Sequence, residues 1–73
     1  MMRSLLSLKE GETSCIQSLQ VEPVLLKSLV SQGVTPGKRV EVVWKPWFGS
    51  LIVCCNDVEF LVTRKEAKNI IVV

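Results

Sequence analysis

The 73-residue sequence predicts a small, mainly β domain, closed or half-closed into a barrel. Three observations lead there. Five short segments read as strands, parted by Gly, Pro and Asn-Asp turn signals. Only one segment, at about 23–32, has a sustained helical apolar period. A chain this short buries only about 60% of the surface its unfolded form exposes, and a barrel limits the open edges that so small a core would have to protect. Apolar residues make up 48% and charged residues 22%, which fits a globular chain and argues against disorder. No repeat, linker or low-complexity tract interrupts residues 1–73, so one domain is expected.

The elements follow in order. SLLSLKEGE, residues 4–12, sets a short apolar patch before a turn at Gly11. TSCIQSLQV, residues 13–21, reads as a strand with imperfect alternation: Ile16 and Leu19 are three apart, which calls for a bulge or a strong twist. Pro23 suits a first helical position, and Leu25, Leu26, Leu29 and Val30 pair at i, i+4 into one apolar stripe. Gly33 then stands where a left-handed C′ residue belongs, with Val34 as the apolar contact of a Schellman motif, so a helix is predicted over 23–32. In TPGK, Pro36 presets φ at the second turn position and Gly37 supplies the positive φ of a type II turn.

KRVEVVWK alternates Val40, Val42 and Trp44 on one face with Glu41, Val43 and Lys45 on the other, a phase that predicts Trp44 as a core residue. Pro46 cannot donate to a ladder and ends the pairing. GSLIVCC resumes as a strand after Gly49, and Asn56-Asp57 fits a two-residue hairpin turn. That turn sets Cys55 opposite Val58, Val53 opposite Phe60 and Leu51 opposite Val62, six residues on a predicted core face. Thr63 and Glu66 have capping-box spacing, predicting a helical turn near 64–68, and NIIVV closes the chain as a strand.

The chemical inventory is thin. There is no His and no Tyr, and Asp57 is the sole aspartate, so the usual general bases and nucleophile partners are missing; no enzyme and no cofactor are expected. Cys15, Cys54 and Cys55 are odd in number and lack CxxC spacing, which reads as buried reduced thiols rather than disulfides or a zinc site. Glu10 with Glu12, and Asp57 with Glu59, read as solvated charges near turns, so no metal site is expected. Nine Lys and Arg against seven Asp and Glu leave +2. Lys38, Arg39, Lys45, Arg64 and Lys68 are interrupted by Glu41, Asp57, Glu59 and Glu66, so no phosphate track is evident and nucleic acid is not an expected partner. The basic turn of PGKRVEVVWK, with Trp47 and Phe48 able to stack on bases, keeps a nucleic-acid-binding module as an alternative. Apolar runs fall short of the ~20 residues that span a bilayer, and the N-terminus lacks a secretory pattern; a soluble, cytoplasmic chain without membrane insertion is expected.

WKPWFG, Trp44 to Gly49, holds three of the four aromatic side chains. Trp47 and Phe48, at a turn between Pro46 and Gly49, either tuck over the open end of the barrel or stand out as a hot spot for a protein partner or a second copy.

The chain resembles the FeoA family of cytoplasmic ferrous iron transport proteins. The resemblance rests on SLKEGE, on Ile16 and Leu19, on LVSQGVTPGKRVEVV (residues 29–43), on Pro46, on the paired strands from Leu51 to Val62, and on the closing TRKEAKNIIV. It implies an SH3-like barrel and a non-catalytic accessory of ferrous iron uptake. Such an accessory binds, and modulates, the cytoplasmic part of a membrane ferrous-iron transporter with a GTPase domain (FeoB-like). Related domains sit at the C-terminus of metal-dependent repressors, which leaves a stand-alone regulatory domain as an alternative beside an SH3-like nucleic-acid-binding module; a chain with its own Met1 and no DNA-binding helix pair favours the accessory. Two departures mark candidate partner-binding residues. Gln32 precedes Gly33 where the family usually has an apolar residue, and Lys45-Pro46-Trp47-Phe48-Gly49 replaces the family's Ala-Pro-Leu-Gly. Trp47, Phe48, Gln32 and Lys45 are therefore the expected contact residues, for a partner or for self-association.

Overall fold

Turn chemistry punctuates the chain where the sequence places it. The computed structural model describes residues 2–73. Its elements are β1 (Arg3–Ser4), a 3₁₀ turn (Leu5–Ser7), β2 (Thr13–Leu19), α1 (Pro23–Ser31), β3 (Arg39–Trp44), β4 (Leu51–Cys55), β5 (Val58–Val62), α2 (Arg64–Lys68) and β6 (Ile70–Val72). The strands form one antiparallel sheet in the order β1-β6-β2-β3-β4-β5. All five expected strands are present, and β1 adds a sixth by pairing Arg3 with Val72. Among the described residues β1 and β5 do not pair, so the sheet curls into a half-barrel without closing.

β2 belongs to both halves of the curl: Thr13–Cys15 pair with β3, while Ile16, Ser18 and Leu19 pair with β6. The register shifts between Ile16 and Ser18, the bulge that the three-residue spacing requires. It lets Ile16 lie buried while Leu19 packs against the same core.

Local signals end α1 as expected. Gln32 is its C-cap, Gly33 takes φ +82°, the Val34 N–H donates to the Leu29 carbonyl at 2.9 Å and the Gly33 N–H to that of Val30 at 3.0 Å, a Schellman closure. Gly33 is also a close approach, because a Cβ there would lie 2.3 Å from Asn56 Nδ2. The apolar stripe of α1 is only half used: Leu29 is buried and Leu25 packs on the core, but Val30 is exposed. At the β4–β5 hairpin, Asn56 and Asp57 both take positive φ (54° and 63°), a type I′ turn, and the register is the predicted one. α2 carries its full capping box, with Glu66 N–H to Thr63 Oγ1 at 3.1 Å and Thr63 N–H to Glu66 Oε1 at 2.9 Å.

Among the described residues the buried core is wholly apolar. Val40 and Val42 from β3, Leu51 and Val53 from β4, and Ile70 and Val72 from β6 lie inside the curl, with Leu5 and Leu8 of the N-terminal segment filling one end. Two expectations fail. Trp44 is 51% exposed instead of buried, because β3 shifts register between Val42 and Trp44: Val42 faces Val53, but Trp44 faces Ile52. One extra residue, Val43, turns the next side chain to the outer face. The thiols also divide: Cys55 is buried, Cys54 is half-buried and Cys15 is exposed, because the pleat points successive strand side chains to opposite faces.

Candidate functional site

The segment between β3 and β4 is where the sequence concentrates its aromatic surface, and three other parts of the chain hold it. Glu10 Oε1 accepts the Lys45 N–H at 2.8 Å. The Lys45 ammonium donates to the carbonyls of Leu6 and Leu8 at 2.6 and 2.9 Å, tying the loop to the N-terminal 3₁₀ turn. From α2, the Arg64 guanidinium donates to the Pro46 carbonyl. Its Nε is buried with no hydrogen-bond partner among the described residues. Three charge-assisted clamps and a proline thus restrict the loop to one course.

On this base Trp47 and Phe48 project outward, 90% and 70% exposed. Their rings meet edge to face, with centroids 5.7 Å apart and planes at 73°. They do not plug the open end of the barrel. The loop lines neither of two clefts found among the described residues, one of about 300 Å³ between residues 20–22 and α2 and a smaller one beside the β4–β5 turn. It is convex, a shape suited to contact and not to enclosing a small molecule.

The four residues marked by the sequence fall into two places. Trp47, Phe48 and Lys45 share the β3–β4 loop, with Lys45 acting as its staple. Gln32 is at the other end of β4: its carbonyl accepts from Asn56 Nδ2 at 3.3 Å, and its side-chain amide folds back to Ser28. A five-residue strand, roughly 17 Å long, separates it from the aromatic pair. The sequence reading missed Trp44 and Leu61 as surface groups. Trp44 faces Ile52 and Ile52 faces Leu61, so an apolar row crosses β3, β4 and β5 on the outer face, with Leu61 65% exposed. The visible signal was Leu61 itself, an apolar residue out of phase with Phe60 and Val62.

Charge beside the N-terminal segment that anchors the loop is local, with Glu12 next to Val42 at the end of β3. Arg3 and Glu12 pair at 2.6 Å, and the Arg3 hydrogen bond, helped by the Lys9 N–H, holds the Glu12 carboxyl below the ordinary glutamate value. Burial pushes the Cys55 thiol up. Among the described residues, no three His, Cys, Asp or Glu side chains group where they could hold a metal ion. No helix there is long and apolar enough to cross a membrane.

The fold has known counterparts. The chain is similar to the FeoA protein of Chlorobium tepidum, at 28% identity and a TM-score of 0.86 over 94% of this chain and 67% of that one. It is also similar in fold to a FeoA of Stenotrophomonas maltophilia, solved with zinc and described as a procaryotic SH3 domain protein, at 23% identity and a TM-score of 0.81 over 96% and 88% of the two chains. A manganese-dependent transcriptional repressor carries the same fold, at 23% identity and a TM-score of 0.84, where 99% of this chain spans 41% of that one. No curated protein sequence matches. The FeoA domain family model matches residues 3–73, and the chain therefore belongs to the FeoA domain family.

Proposed function

We propose that this chain is a non-catalytic, cytoplasmic accessory of ferrous iron uptake that binds and modulates the cytoplasmic part of a membrane ferrous-iron transporter, with Trp47 and Phe48 as the contact. Family membership supports the link to ferrous iron, and the S. maltophilia relative is described as a possible bacterial ferrous iron transport activating factor. The observation that carries the docking role is the exposed Trp47–Phe48 pair on a clamped loop. Large exposed rings attract water-excluding contacts, and a loop already held in place loses little conformational freedom on binding.

The test is the affinity of the chain for the transporter's isolated cytoplasmic domain, with and without guanine nucleotide. Trp47→Ser removes a side chain already about nine-tenths in water. The remaining tenth of its ~250 Å² is worth about 0.6 kcal/mol, so the thermal melt should fall by only about 3 °C. As a hot spot, the same change should cost about 2 kcal/mol of binding, or roughly 30-fold in Kd. Wild-type affinity in the Trp47→Ser, Phe48→Ser double variant would overturn the reading. Salt-sensitive retention on single-stranded nucleic acid would favour the nucleic-acid-binding alternative instead.

A further inference from the structure

A sheet that does not close has two edges, and this one guards them unequally. The β1 edge is two residues long, too short to template a partner strand. The β5 edge runs five residues in unbroken register, with no Pro, no Lys and no bulge; its one charged guard is Glu59, which a basic partner side chain would neutralise.

The hairpin decides which groups face outward. Cys55 and Val58 flank a two-residue type I′ turn and form a hydrogen-bonded pair. Alternation along an antiparallel ladder then turns Val58, Phe60 and Val62 toward β4 and aims the N–H and C=O of Glu59 and Leu61 away from it. Among the described residues those four groups have no other partner. Beside them, on the outer face, lie the Glu59 carboxylate and the exposed end of the Trp44–Ile52–Leu61 row. Residues 56–62 hold two acids, Asp57 and Glu59, and no base.

We infer that the β5 edge is a strand-addition site for an extended segment of a partner that carries an apolar residue opposite Leu61 and a basic residue opposite Glu59. In the antiparallel sense this segment reads apolar-x-basic: its backbone completes the ladder, and its two side chains extend the apolar row and neutralise the acidic edge. A second copy of this chain fits poorly. A two-fold centred on Glu59 sets carboxylate against carboxylate, and one centred on Phe60 sets each Leu61 against a Glu59. One centred on Leu61 needs the Thr63 N–H, which already bonds to Glu66. The site is independent of the aromatic-loop docking proposed above and is tested without the transporter.

The probe is a capped heptapeptide of threonines with valine third and lysine fifth, added to the full chain while amide exchange is followed by NMR. At saturation the Glu59 and Leu61 amides should exchange about tenfold more slowly, and glutamate in place of the peptide lysine should weaken binding about fivefold. A peptide N-methylated at its valine and lysine, which leaves the protein untouched, should not bind. In the protein, Leu61→Pro deletes one outward donor without taking a bond from β4 and should abolish the response. Unslowed exchange at both amides, equal binding of the methylated peptide, or a full response from a folded Leu61→Pro variant would each overturn the inference. Protection that grows with protein concentration in the absence of peptide would assign the edge to a second copy and overturn it too.

Discussion

Gly33→Ala tests how the end of α1 is fitted to the β4–β5 hairpin. Gly33 has φ +82°, a region that costs an L residue about 1–2 kcal/mol. Its new Cβ would meet Asn56 Nδ2 at 2.3 Å, so the amide must swing away and give up its 3.3 Å bond to the Gln32 carbonyl, a further loss of about 1 kcal/mol. The reduced freedom of the unfolded chain returns about 0.5 kcal/mol, for a net loss of about 2 kcal/mol, or roughly 10 °C in Tm for a domain of this size. The assay is urea unfolding followed by far-UV circular dichroism, in a double-mutant cycle with Asn56→Gly. Asn56→Gly removes the obstructing amide and keeps a residue that tolerates positive φ, so the cycle should show about 1 kcal/mol of coupling, with the φ cost remaining. Additive effects within about 0.3 kcal/mol would refute the close-approach argument. A single-variant loss below about 0.5 kcal/mol would refute the left-handed one.

Two further outcomes are expected. Trp44→Thr should cost about 1–2 kcal/mol, because half of the ring is already in water and threonine keeps part of the contact, while the fully buried Val42→Ala should cost about 2–3 kcal/mol; a loss in urea unfolding of about 3–5 kcal/mol for Trp44→Thr, the cost of removing a fully buried Trp, would restore Trp44 to the core. Glu12 has its folded value lowered beneath the ordinary 4.5. Its contribution is therefore complete above that value and fades as pH falls through the lowered one. Glu12→Gln should lie below wild type at neutral pH and converge with it in acid, and a constant gap across the urea midpoints would refute the Arg3–Glu12 account.

Legibility followed the range of the interaction. The Schellman closure at Gly33, the type II turn at Pro36-Gly37, the I′ turn at Asn56-Asp57 and the capping box at Thr63 each depend on a few adjacent residues, and each stands where the sequence places it. The β2 bulge was legible for the same reason, since the Ile16–Leu19 spacing announces it. The second bulge was not. Val42, Val43 and Trp44 are all apolar, so alternation alone cannot say which one leaves the core; pairing with β4 decides. β1 has too few residues to carry a pattern and exists because β6 offers it an edge.

The candidate contact divides the same way. The sequence by itself determined that Trp47 and Phe48 sit at a turn, because Pro46 and Gly49 are local facts of chain geometry. Only the tertiary structure decided that the pair faces outward, because the groups holding the loop come from Glu10, from the carbonyls of Leu6 and Leu8, and from Arg64. Those partners lie 35, 39, 37 and 18 residues away along the chain. It also placed Gln32 at the far end of β4 and left the β5 edge open. Turns are written in adjacent residues; which surfaces end up bare depends on how strands far apart in the chain pair and where the sheet stops.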